Sequence, residues 1–125
     1  MESIFAGSWI SGVEKVDVKL SLISFVEDNV HIIYCPALDL SGYGADEKEA
    51  LESFQVVLSE FLLYTTNKKT FFDALRKMGW QIKSKSKPFI PPSLSKLLDE
   101  NENFSRIFND HSFKKFDRKI SIPAL

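Results

Sequence analysis

Val16, Val18, Leu20 and Leu22 alternate with Asp17, Lys19 and Ser21, and this period of two constrains the chain more than any other feature. Successive side chains of a strand point to opposite faces, so the segment reads as a half-buried strand and not as a helix. The run continues through Ile23 and Phe25 to Glu27, where Asp28-Asn29 interrupts it. Both residues tolerate positive φ, which predicts a tight hairpin. A second strand follows, with Val30, Ile32 and Tyr34 on one face and His31, Ile33 and Cys35 on the other. Pro36 has no N–H to give a sheet ladder, so it ends that strand. Residues 38–43, with Gly42 and Gly44 as bounds, supply a short third strand.

A helix is expected from Asp46 to about Tyr64. Asp46 stands three residues before Glu49, the spacing of a capping box, and Glu47 and Glu49 favour the positive end of the helix dipole. Leu51, Phe54, Leu58, Phe61 and Leu62 form one apolar stripe at helical spacing. Val56 and Leu63, seven residues apart, fall on a different azimuth and must meet something besides the sheet.

The second half is less regular. Residues 70–78 read as a short helix stopped by Gly79, and residues 80–83 as a fourth strand. Pro88, Pro91 and Pro92 impose an extended path. Two short helices are expected at 93–98, capped by Ser93, and at 103–108, then a terminal strand carrying Phe116, Lys119, Ile120 and Ile122. Phe104, Ile107, Phe108 and Phe113 add too many apolar groups for a free tail. The expected fold is α+β: an antiparallel sheet of three to four strands packed on one main helix. Its core spans about residues 14–66, and a structural extension fills 67–125 of a single domain covering 1–125.

Composition narrows the function classes. The 125 residues are 44% apolar and 26% charged with a formal net charge of −1, values of a folded globular chain. No apolar run is long enough for a membrane span, the N-terminus lacks the layout of a signal peptide, and the lone Cys35 rules out an internal disulfide. A cytoplasmic setting is expected.

Catalytic constellations are thin. His31 and Cys35 are four residues apart on a strand, about 13 Å, too far for a dyad. His111, beside Asp110, reads as a surface residue. The thiols and imidazoles of a zinc site are lacking. Asp17, Asp28, Asp39 and Asp46 lie on or beside the sheet, as a metal nuclease would need. Plainer roles need no metal: Asp17 alternates onto the polar face, Asp28 is explained by the hairpin and Asp46 by helix capping. Gly42-Tyr43-Gly44 lacks the further glycine and the lysine of a phosphate loop and reads as strand-to-helix turn chemistry. No enzyme, metal or cofactor is expected.

Charge is unevenly spread. Residues 68–87 hold Lys68, Lys69, Arg76, Lys77, Lys83, Lys85 and Lys87 against Asp73, a balance of +6. Residues 46–60 carry −4. The basic segment gives a second reading, nucleic-acid binding through Lys83, Lys85 and Lys87 with Trp80 as a stacking platform.

Ile33-Tyr34-Cys35-Pro36-Ala37-Leu38, then Gly42, Gly44 and Asp46-Glu47-Lys48-Glu49-Ala50-Leu51, follow a pattern of strand, Tyr-x-Pro-x-Leu, glycine and capped helix. Over about residues 18–61 the chain resembles the HicB-like antitoxin family. The resemblance implies a β-β-β-α core, a degenerate ribonuclease H fold, and a non-catalytic protein that neutralises a small ribonuclease toxin of the HicA type. Ala37 stands where the family commonly has an acidic residue. Residues 117–122 resemble the ribbon of the DNA-binding motif that many members carry, and no following helix is read. The leading expectation is therefore a protein-binding module, with a nucleic-acid binder second and a small metal-dependent nuclease third. A homodimer is also expected, with Val56, Leu63, Leu40 and Tyr43 as partner contacts, because few strands leave sheet edges open and no lysine or bulge protects residues 38–43.

Overall fold

A computed structural model describes residues 3–5, 15–65, 68–82 and 89–123, with side chains described within 17–65, 70–82 and 89–121. The long alternating segment forms β2 (Lys15–Glu27), and the hairpin turns at Asp28 and Asn29, whose φ values are 52° and 64°. The turn leads into β3 (Val30–Cys35), and β4 (Leu40–Gly44) completes an antiparallel meander. Helix α1 (Glu47–Tyr64) follows at once. The chain continues through α2 (Lys68–Lys77), the two-stranded ladder β5 (Gln81–Ile82) and β6 (Phe89–Ile90), then α3 (Leu94–Glu100) and α4 (Glu102–Asp110). It closes with β7 (Phe113–Pro123). The main sheet has the order β1-β7-β2-β3-β4, where β1 (Ser3–Phe5) pairs parallel to β7 and the other neighbours are antiparallel. The α+β expectation of a sheet on a main helix holds. The added feature is β1, for which residues 1–13 gave no sequence signal.

Register assigns the two faces. Ser24 pairs with Ile33 and Ile33 with Gly42, so the even-numbered residues of β2 face α1. Val18, Leu20 and Leu22 are buried there with Ile33, Cys35 and Ile120 beneath Ala50, Phe54, Leu58 and Leu62 of α1. The opposite face carries Ile23, Phe25, Ile32 and Tyr34, also buried. The α3–α4 pair covers that half: Asn101 Nδ2 donates to the Tyr34 hydroxyl at 2.8 Å, and His111, just past α4, sets its ring 5.2 Å from that of Phe25 at a tilt of 43°. Four consecutive buried residues, Leu22 to Phe25, mark where the sheet changes from one covered face to two.

The remainder of the second face stays polar. Ser21 and Lys115 both donate to Asp117, and Ser121 donates to Asp17 at 2.7 Å. At the far end of α1, Phe61, Phe71 and Phe89 meet edge to face and close the core.

Candidate partner-binding face

Helix α1 is held by the cap read in the sequence. Asp46 accepts from the Glu49 N–H at 2.8 Å, and Glu49 Oε1 accepts from the Ala45 N–H. The sheet side of the helix is fixed by Gly42 and Gly44. A Cβ on Gly42 would lie 2.2 Å from the Phe54 nitrogen, and one on Gly44 2.5 Å from the Ala50 nitrogen. Neither glycine has a positive φ, so their role is space for the helix backbone and not turn chemistry, which corrects the reading of Gly42-Tyr43-Gly44.

Once its inner stripe is buried, α1 turns Val56 and Leu63 outward, 57% and 54% exposed, with Tyr64 beside them at 89%. Seven residues bring a helix round to within about 20° of the same azimuth, so Val56 and Leu63 lie on one line. Glu49 precedes them on that line, and Glu52 and Glu60, four residues either side of Val56, border it; all three are exposed. Among the described residues Glu52 and Glu60 have no cationic partner. The last turn of α1 has no basic side chain to offset the negative end of its dipole.

The other sequence-derived contacts divide. Tyr43 is 58% exposed on the edge strand β4, whereas Leu40 is half-buried against the core. The edge is also better protected than its sequence indicates, because the Tyr43 N–H donates to Ser53 Oγ on α1 at 3.1 Å. Trp80 does not join a nucleic-acid surface. It is 3% exposed and its indole N–H donates to the Ala37 carbonyl at 2.7 Å, so no face is free to stack on a base. A strand-like alternation at 80–83 concealed an aromatic anchor of the core. Lys83, Lys85 and Lys87 lie outside the described residues, and Arg76 and Lys77 are exposed on α2.

Among the described residues the sequence-derived catalytic candidates are not brought together. Cys35 is fully buried, and that burial pushes its thiol up to about 12. Asp28 serves the hairpin and Asp46 the helix cap. Among the described residues no three His, Cys, Asp or Glu side chains converge as a metal site. His111 is more than a surface residue: its Nε2 lies 3.0 Å from Glu27 Oε1, the same oxygen that accepts from Arg106 at 3.0 Å. That guanidinium, ahead of the imidazole, holds the Glu27 carboxyl below its ordinary range.

One corner escaped the sequence reading. Pro36, Asp39, Lys77, Met78, Leu97 and Asn101 help line a cleft of about 440 Å³. Asp39, at a φ of 53°, accepts from the Tyr34 hydroxyl, and Asn103 donates to the same carboxylate at 3.4 Å. Burial first, and the neighbouring carboxylate second, raise the Tyr34 phenol well above its usual range, so it acts as a donor and not as a base. These bonds join β3, the turn after it and the α3–α4 junction, which makes the corner a structural tie. Asn101 also caps α4, accepting from the Phe104 N–H at 3.1 Å. Comparison with known proteins returns no match to a family model, a curated protein or a solved structure.

Proposed function

We propose that this chain is a non-enzymatic protein-binding module of the HicB-like antitoxin type, which works by holding a small basic ribonuclease toxin. The observation that carries the reading is the outward face of α1, where Val56, Leu63 and Tyr64 stand exposed among glutamates. Among the described residues nothing covers these large apolar side chains grouped on an acidic helix, and exposed apolar groupings of this kind mark interaction surfaces. The meander β2-β3-β4 running directly into α1 supports the same reading, because it is the element order that the resemblance implies. A cytoplasmic location belongs to this reading.

The test is to look for a small basic open reading frame adjacent to the gene and, where one is found, to co-express it with this chain; the lack of any such neighbour counts against the proposal. A stable complex in which RNA cleavage by that partner is suppressed supports the proposal. Failure to form a complex overturns it. So does cleavage of RNA by this chain alone in magnesium or manganese, if Asp17→Ala abolishes it.

Self-association is the second reading, favoured by Tyr43 at 58% exposure on an edge strand. Ser53 already occupies the Tyr43 N–H, so that donor is closed to an added strand and the exposed side chain is what the edge offers at this position. Sedimentation showing one species near 14.3 kDa at micromolar concentration rejects it. The nucleic-acid reading keeps only its charge, the +6 of residues 68–87. It requires salt-dependent binding that weakens on charge reversal at Lys83, Lys85 and Lys87.

A further inference from the structure

We propose that the outward face of α1 receives a basic amphipathic helix of the partner, laid along the line of Val56 and Leu63. The proposal rests on the protein-binding reading above and names the occupant of that face. The geometry comes from spacing. Glu49, Val56 and Leu63 recur every seven residues, and Glu52 and Glu60 flank them. A seven-residue line on one helix is matched by a second helix whose apolar side chains repeat with the same period, while flanking charges choose the partner.

Charge chooses the occupant. Glu49, Glu52 and Glu60 are exposed along this side of α1, Glu52 and Glu60 have no cationic partner among the described residues, and the last turn of the helix, beside Leu63 and Tyr64, carries no basic side chain of its own. An occupant with lysine or arginine at its flanking positions therefore meets complementary charge along most of the helix. A second copy presenting the same face would instead bring Glu49, Glu52 and Glu60 of both chains together, a like-charge juxtaposition that costs several kcal/mol in an interface. Like-charge repulsion therefore sets α1-on-α1 pairing against a basic occupant of this face. The apolar area is small, so charge sets the selectivity and the partner's register supplies the rest.

The probe is a synthetic three-heptad helical peptide with leucine along its seam and lysine at the flanking positions, compared with the same peptide carrying glutamate there. Binding to the full chain is read by fluorescence anisotropy. The lysine peptide is expected to bind at least about tenfold more tightly at low salt. The difference should shrink as the Debye length falls from about 10 Å at 0.1 M towards about 3 Å at 1 M. The double variant Glu52→Lys/Glu60→Lys should invert the preference, and Val56→Asp should abolish binding of both peptides. All three positions are exposed, and an unchanged melting temperature verifies that the variants fold.

Equal binding of the two peptides, no binding, or a preference insensitive to Glu52→Lys/Glu60→Lys overturns the proposal. A dimer of the free chain that dissociates on Val56→Asp overturns it too, because a second copy would then occupy the face. The module reading is separately resolved. If the co-expressed partner binds the parent chain and Val56→Asp equally, the module stands and this face is not its site. If the lysine peptide behaves as expected and no partner complex forms, the face is selective for basic helices and the antitoxin assignment fails.

Discussion

At Gly42 the sheet and α1 approach so closely that a methyl group has no place. The added carbon would lie 2.2 Å from the Phe54 nitrogen and 2.5 Å from the Ala50 carbonyl oxygen, both backbone atoms that no rotamer change can move. Gly42→Ala must therefore lift the helix from the sheet, at a cost at or above the roughly 1–3 kcal/mol of ordinary overpacking. The expected effect is a fall in melting temperature of about 10 °C. Val56→Ala, on the exposed side of the same helix, is the control and should stay within about 0.5 kcal/mol of the parent. A Gly42→Ala protein that melts with the parent would show that α1 is not seated there. Cys35 illustrates a different residue-scale constraint. Its thiol is fully buried and pushed up to about 12 by that burial, so the thiolate that reacts with aromatic disulfides is almost unpopulated near neutral pH. Native protein should leave a thiol reagent unconsumed over the time in which urea-unfolded protein consumes one equivalent; rapid labelling of the native chain would contradict the burial.

Between elements, a few polar contacts tie the extension to the sheet, and two of them make the fold sensitive to acid. Glu27, at the end of β2, accepts from Arg106 of α4 and lies 3.0 Å from the His111 imidazole nitrogen. Asp117 on β7 accepts from Ser21, the leading cause of its lowered carboxyl, with Lys115 and Lys19 adding to it. Both carboxyls sit below their ordinary values in the folded state, so the unfolded chain binds the proton more readily. Their contribution is present above the unfolded carboxylate range of about 4 and is lost as pH falls through the folded values. Denaturant midpoints should hold steady from pH 7 to about 5 and drop below about 4, and Glu27→Gln should flatten part of that drop. An unchanged slope in Glu27→Gln would remove Glu27 from the account. Sequence legibility followed the same division between local and distant causes. The Asp28-Asn29 turn, the Asp46 cap, the Ser93 cap and the stop at Gly79 depend on neighbours within a few residues, and all were readable. The outward positions of Val56 and Leu63 were readable as well, because helical periodicity alone separates them from the buried stripe. The contacts of Trp80 and His111 were not legible because their partners, Ala37 and Glu27, are remote in sequence and nothing near them in the chain announces the contact.

For the whole molecule the decisive fact is that the last strand is internal to the sheet. β7 lies between β1 and β2, and the Ser21–Asp117 and Asp17–Ser121 bonds join residues 96 and 104 positions apart. Ile120 of this strand is fully buried on the face that α1 covers. The meander and α1 therefore do not complete their own core; the extension supplies one sheet neighbour of β2, the cover over Phe25 and Tyr34, and the Trp80 anchor. Burying one large apolar side chain contributes about 1.5–3 kcal/mol, against a total of about 5–15 kcal/mol for a domain. Losing β7 would expose several such groups together and open β2 as a long unpaired edge prone to aggregation. Deletion of residues 112–125 should give insoluble protein or a species without a cooperative melt. The intact chain should unfold in one transition, with calorimetric and van't Hoff enthalpies in agreement, because no cut between residues 66 and 67 leaves two complete cores. Two resolved transitions, or a truncated chain that melts like the parent, would show instead that residues 14–66 fold alone and that the extension is an appendage.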